Sequence, residues 1–145
     1  MLDLALAIAH HLLVFSLFGT LAAELMMIRL SMTPMQVRRV AAVDRWYGIL
    51  AAAILIVGFS RATFAAKGWD YYAHWAKMAA FLAVGLLSIW PTIRVLAWKR
   101  RQLANGDAVP SSDEISALQP FLWAELAVFV FIPVFAAAMT RGYGS

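Results

Sequence analysis

Four apolar runs, near residues 4–28, 46–66, 74–97 and 119–140, occupy most of this 145-residue chain. A helix needs about 20 consecutive apolar residues to cross a hydrocarbon layer ~30 Å thick, so each run has the length of one crossing. A soluble fold could not cover so much apolar surface. Hydrophobic residues make up 63% of the chain and charged residues 14%, against about 25% charged in ordinary soluble domains. Lipid offers no hydrogen bonds to the backbone, so a spanning segment of this kind must satisfy its own as a helix. The expected fold is therefore all-α, an integral membrane four-helix up-and-down bundle, with residues 1–145 as a single domain. The first run follows Asp3 without a basic stretch or a clean small-residue cleavage site, so it reads as a retained span.

The runs are joined by segments of different character. Met32, Thr33 and Pro34 open one link (31–44), and Asn105, Gly106, Asp107, Pro110 and Ser111 fill another (99–118), so both are expected to be polar turns. A much shorter reversal around Lys67 and Gly68 predicts an antiparallel hairpin of the second and third spans. The net charge of +4 does not point to nucleic acid, because the basic residues sit in short clusters at the edges of apolar runs. Eight of them (Arg29, Arg38, Arg39, Arg45, Arg94, Lys99, Arg100 and Arg101) flank the two long links, and four (Arg61, Lys67, Lys77 and Arg141) lie on the other side. This bias predicts cytoplasmic long links and both termini outside. Trp46, Tyr47 and Trp98 are expected at the inner interface, and Trp69, Tyr71, Tyr72 and Trp75 at the outer one.

Several ionisable residues have no room to leave the bilayer. The uncharged stretches 46–60, 78–93 and 126–140 hold 15, 16 and 15 residues, each too short alone to cross ~30 Å. Arg61, Lys77 and Glu125 then lie inside the hydrocarbon edge, with Glu24 similarly placed, and such groups normally face the bundle interior or water. The inner half would hold Glu24, Glu125, Arg45 and Arg94, expected to form a paired network that fastens helices together, because an unpaired buried charge is very costly. The functional alternative is a proton relay through Glu24 or Glu125.

The outer half would hold His10, His11, His74, Lys77 and Arg61. Histidine costs desolvation in lipid, yet its neutral ring nitrogen ligates iron and is the usual axial ligand of a membrane haem. His10 and Glu24 are fourteen residues apart and share a helix face, whereas His11 is rotated by about 100°, so His10 is the geometric favourite for the core. His74 and Lys77 are spaced i, i+3, with Phe81 and Gly85 continuing their face. At 1.5 Å per residue His10 would lie roughly 10 Å and His74 roughly 5 Å below the outer edge, depths compatible with one cofactor between the first and third helices. The competing reading makes His74 an interfacial anchor and lets Lys77 snorkel. Three histidines, two of them adjacent, allow at most one bis-histidine haem and disfavour a three-histidine zinc site. The absence of cysteine excludes thiolate chemistry.

Several short motifs carry a family resemblance. His10-His11-Leu12 in the first span, Arg29-Leu30 at its end, Asp44-Arg45-Trp46-Tyr47 opening the second, Gly68-Trp69 through His74-Trp75-Ala76-Lys77 opening the third, and Trp123-Ala124-Glu125 with Pro133 in the fourth resemble HemJ-type proteins. These are small four-helix bacterial membrane proteins that bind haem b and oxidise protoporphyrinogen IX. Ser88, Ile89 and Trp90 stand where that family carries a further third-helix histidine. The chain resembles more closely a group of small bacterial inner-membrane proteins of unassigned function. The resemblance implies a haem ligand at His10 or His11, a functional lysine at Lys77 and a bacterial inner-membrane location.

Together these readings lead to a haem b-binding membrane oxidoreductase, with His10 or His11 as one axial ligand to the metal and His74 as a second. Lys77 and Arg61 would face haem propionates or an anionic substrate, and by family analogy the substrate would be a porphyrinogen and the electron acceptor a quinone. The alternative is a non-enzymatic membrane subunit or small transporter, whose polar groups hold helices together or line a path; on either reading the expected partners are the lipid bilayer and a homo-oligomer or membrane complex. The charge bias makes its own prediction. Reporter fusions after Arg101 should score cytoplasmic and fusions after Gly142 external, and the opposite pattern would invert the orientation.

Overall fold

The computed structural model of the chain describes residues 2–64 and 72–140, with side chains described over 4–60, at Ala79 and over 81–134. Four helices account for nearly all of these residues: α1 (Leu2–Met27), α2 (Pro34–Phe64), α3 (Tyr72–Ala104) and α4 (Ser112–Thr140). Each contains a segment long and apolar enough to cross a membrane: Leu4–Met27, Pro34–Ser60, Phe81–Ala104 and Ser112–Val134. The all-α membrane bundle expected from the apolar runs is the fold observed. α1 packs chiefly on α2 and α3 chiefly on α4, while α2 meets α3 and α1 meets α4 over smaller surfaces. Among the described residues, α1 and α3 are thus diagonal neighbours, as are α2 and α4.

Polarity is distributed opposite to that of a soluble bundle. The outer face of α1 presents Leu4, Ile8, Leu12, Phe15 and Met26, and the outer face of α3 presents Leu82, Leu86, Ile89 and Ile93, all exposed. An apolar surface of this extent suits acyl chains and not water. The helices meet along a 3–4 spaced seam. It runs through His10, Leu17, Leu21, Glu24 and Ile28, through Val84, Pro91, Val95, Trp98 and Gln102 on α3, and through Ile115, Leu118, Leu122, Glu125, Phe129 and Ile132 on α4. Spacing of this kind keeps one stripe turned to a neighbouring helix over many turns.

The two long links are shorter than expected. α2 begins at Pro34 instead of 46, α3 continues to Ala104 instead of 97, and α4 begins at Ser112 instead of 119. The cause lies in the caps. The Thr33 hydroxyl accepts a hydrogen bond from the Gln36 amide at 3.3 Å while the Thr33 amide donates to Gln36 Oε1 at 2.7 Å. Ser111 and Glu114 repeat the arrangement at 3.2 and 3.0 Å. Each is a reciprocal capping box, and Pro34 sits at the first helical position, where its missing N–H costs nothing. Arg101 at the end of α3 donates to both Glu114 oxygens, at 2.7 and 2.9 Å, and so clasps the start of α4. Gln102 Nε2 donates to the Pro34 carbonyl, tying the end of α3 to the start of α2.

With 31, 33 and 29 residues, α2, α3 and α4 are about 44–50 Å long, well beyond a hydrocarbon layer of ~30 Å. The extra turns at the capped end carry Arg38, Arg39, Lys99, Arg100 and Arg101. Trp98, expected in the interfacial belt, is instead 1% exposed, and Tyr47 is 5% exposed; Trp46 does face outward. Packing of the overhanging turns against one another, together with Ile28 and Met32 from the first link, explains the difference for Trp98. Ser111→Ala should lower the stability of detergent-solubilised protein by about 1 kcal/mol, and Ser111→Thr should recover most of it, as read from thermal unfolding.

Candidate functional site

Apart from Gln102 at the capped end, the polar side chains described on the seam fall into two layers separated by an apolar one. The first contains Glu24 from α1, Asp44 and Tyr47 from α2, Thr92 from α3 and Glu125 from α4. Glu24, Asp44 and Glu125 are 2%, 5% and 1% exposed. Seam spacing turns all three inward: Glu24 lies three residues beyond Leu21, Asp44 four beyond Val40, and Glu125 three beyond Leu122. The Tyr47 hydroxyl donates to Glu125 Oε2 at 3.2 Å, a contact between diagonal helices through the centre of the bundle. Thr92 Oγ1 donates to Asp44 Oδ1 at 2.7 Å and joins α3 to α2. Among the described residues, two carboxylate oxygens, Glu24 Oε1 and Glu125 Oε1, are buried without a hydrogen-bond partner.

The expected carboxylate–guanidinium network is not what the helices build. Arg45 and Arg94 are both on the outside of the bundle. Arg94 instead places its guanidinium carbon 5.0 Å from the centre of the Trp90 ring, and Trp90 packs in turn on Phe121 at 4.6 Å. The described ion pair joins Arg101 to Glu114 at the capped end. The physical reason is angular. Asp44 and Arg45 are adjacent, so the helix turns the arginine about 100° away from the inward carboxylate. Arg94 likewise follows the half-buried Thr92 by two positions and leaves the seam. Three carboxylates from three helices therefore face one another with hydroxyl groups as their polar company.

The second layer is nearer the other end of α1. His10 is 8% exposed and turned inward, whereas His11 is exposed and its ring Nδ1 lies 2.7 Å from the Ala7 carbonyl. Opposite His10 is Gly58 of α2, where a Cβ would stand 3.9 Å from the imidazole Cε1. The register is self-consistent. Glu24 to His10 and Asp44 to Gly58 are both fourteen residues, so antiparallel α1 and α2 bring both pairs level, about 21 Å apart along the axis. Leu17, Leu21, Ile54, Val84 and Phe129 fill the interval.

Arg61 lies in the last turn of α2, and His74 and Lys77 in the first turns of α3, but their side chains fall outside the described residues. His10 and His11 are accordingly the described members of the expected outer cluster, and only the former enters the core. Asp44, Tyr47 and Thr92 were not singled out as site residues by sequence reasoning. The available signal was the i, i+3 pair Asp44 and Tyr47 continuing the Val37, Val40, Ala41 stripe.

Fold and site together define a multi-pass membrane protein of four helices with a buried acidic layer. The chain belongs to the family described as "Predicted membrane protein (DUF2214)", whose model matches residues 2–144. No curated protein and no solved structure matches it. Thr92→Val should remove the donor to Asp44 and cost roughly 1 kcal/mol, the usual range for an interhelical hydrogen bond in a membrane, while Thr92→Ser should be close to neutral in the same detergent melt.

Proposed function

We propose that this protein is a haem b-binding membrane oxidoreductase of the bacterial inner membrane, with His10 as an axial ligand. The observation that supports it best is the orientation of the adjacent histidines: His10 occupies a buried seam position beside Gly58, and His11 faces outward. Imidazole is a borderline donor suited to iron, and the seam position of His10 turns its ring towards the bundle interior. The diagonal relation of α1 and α3 adds to the fit. It lets a first-helix ligand look across the core towards the helix that carries His74 and Lys77. His10 would hold the iron and His74 would supply a second ligand, with Lys77 and Arg61 neutralising propionates or an anionic substrate. Haem supplies one-electron chemistry; the chain's own part is to orient the group, exclude water with its apolar layer and set the local charge.

If the resemblance of the chain's short motifs to HemJ-type proteins extends to chemistry, oxidation of a porphyrinogen, with a quinone as electron acceptor, would be the most concrete form of this activity. A second reading has an observation of its own. The Tyr47–Glu125 and Thr92–Asp44 contacts bind three helices through buried polar groups, as they would in a non-enzymatic membrane subunit or a small transporter.

Absorption spectroscopy of protein purified from haem-replete cells separates the two. A Soret band and a protoporphyrin pyridine haemochrome are expected, noncovalent because the chain has no cysteine. His10→Ala should abolish the band and His11→Ala should retain it. Gly58→Leu should diminish it by filling the space beside the imidazole. His74→Ala should move the spectrum towards five-coordinate high-spin iron, and Lys77→Met should keep haem while weakening activity. Folded protein that stays colourless after haem reconstitution would promote the subunit or transporter reading.

A further inference from the structure

The acidic layer is independent of the haem reading and has features that a purely structural network would lack. Interhelical polar contacts that serve only packing leave their groups satisfied, since a buried unpaired polar atom is costly. Here the Tyr47 and Thr92 hydroxyls donate to one oxygen each of Glu125 and Asp44, while Glu24 Oε1 and Glu125 Oε1 are buried with no hydrogen-bond partner among the described residues. Glu24 and Glu125 are 2% and 1% exposed. Glu24 and Asp44 stand level on antiparallel α1 and α2, and Glu125 is joined to the next turn of α2 through Tyr47.

The groups facing this layer come from all four helices: Glu24 from α1, Asp44 and Tyr47 from α2, the Thr92 hydroxyl from α3 and Glu125 from α4. Arg29, Arg45 and Arg94, the arginines nearest along the chain to Glu24, Asp44 and Thr92, point outward. No positive side chain among the described residues balances the layer, and no three His, Asp or Glu side chains among them are gathered to hold a metal ion. Carboxylates crowded in an apolar core without a counter-cation become neutral by binding protons.

The layer also sits at a depth where protons can be exchanged. Trp46 and Trp123, both outward-facing, lie within two residues of Asp44 and Glu125, about 3 Å along their helices. Arg45 is next to Asp44 and Arg94 two residues from Thr92, and both are likewise outward. Aromatic and basic side chains on the outside of a membrane bundle mark the interface with water, so the acidic layer is level with that interface while shielded from it laterally. Towards the capped end it is covered by Val40, Val95, Trp98, Leu118 and Leu122, and towards His10 by Leu17 and Leu21.

We propose that Glu24 and Glu125 form an exchangeable proton-binding site within the bundle, with Asp44 and Tyr47 as its polar neighbours. A proton taken from water converts one carboxylate to a carboxylic acid, and its release restores the carboxylate.

The chain contains three glutamates, Glu24, Glu114 and Glu125, of which Glu114 is ion-paired with Arg101. This makes isotope labelling selective. Full-length protein in lipid nanodiscs, labelled with 13C at the glutamate side-chain carboxyls, should show at neutral pH a carboxylic-acid C=O stretch that carries the 13C shift and moves again in D2O. The band should convert to carboxylate absorption as pH is raised, and Glu24→Gln and Glu125→Gln should each remove part of it. Absence of any 13C-sensitive acid band from the wild-type protein at neutral pH would overturn the proposal without reliance on a variant. Loss of the band on adding sodium at constant pH would equally overturn it, by assigning the layer to a metal cation.

Discussion

Everything in this bundle depends on how four polypeptide segments satisfy their polar groups where lipid offers none. Helix formation settles the backbone, and the side chains are settled by a single 3–4 spaced seam on each helix. The seam draws polar residues inward and leaves leucine, isoleucine and phenylalanine to the acyl chains. His10 and Glu24 are on the same stripe as Leu17 and Leu21 because periods of seven, four and three return the chain to one face. Aliphatic burial offers little driving force when the lipid is as apolar as the core, so close packing and the few interhelical hydrogen bonds carry the association. That gives Tyr47 and Thr92 an importance out of proportion to their number. They bridge helix pairs that otherwise meet over smaller surfaces or not at all.

The overhanging turns at the capped end are the second determinant of shape. Two capping boxes fix where α2 and α4 begin, and the Arg101–Glu114 clasp closes the link between α3 and α4. These devices are polar and lie beyond the apolar runs. They lengthen the helices into a region where ordinary soluble-protein rules apply again, with Val37, Trp98 and Ile115 forming an apolar core under a basic surface.

The number and nature of the helices were legible in the sequence, because a hydropathy run of membrane length has few other uses. The helix ends were not, since Thr33 and Ser111 were read as turn residues when each also satisfies the capping-box spacing, with Gln36 and Glu114 respectively. The inward choice of His10 over His11 followed from its fourteen-residue interval to Glu24, and the structure agrees. The partners of Glu24 and Glu125 were misjudged for a physical reason. Sequence proximity placed Arg45 and Arg94 at the right depth, but depth fixes only one coordinate, and the azimuth around each helix decides which groups meet. When a helix is apolar on every side, its sequence carries little azimuthal signal, and the seam emerges only where polar residues mark it.

The two polar layers share the α1 seam, and their separation determines how they can communicate. About 21 Å of packed Leu17, Leu21, Ile54 and Phe129 lies between them. At an effective dielectric constant near 20, one unit charge acts on another over that distance by roughly 0.8 kcal/mol, less than a tenfold change in an equilibrium. A proton gained or lost at Glu24 therefore changes the environment of His10 only slightly through space. Stronger coupling has to pass through the helices themselves. α1 is the direct route, because it carries both groups and because its packing on α2 sets the level of Glu24 against Asp44 and of His10 against Gly58 simultaneously. An axial shift of α1 by one residue, ~1.5 Å, would alter both layers together. Side chains that interlock between them, Leu17 and Leu21 above all, consequently govern whether the halves act as one unit or as two.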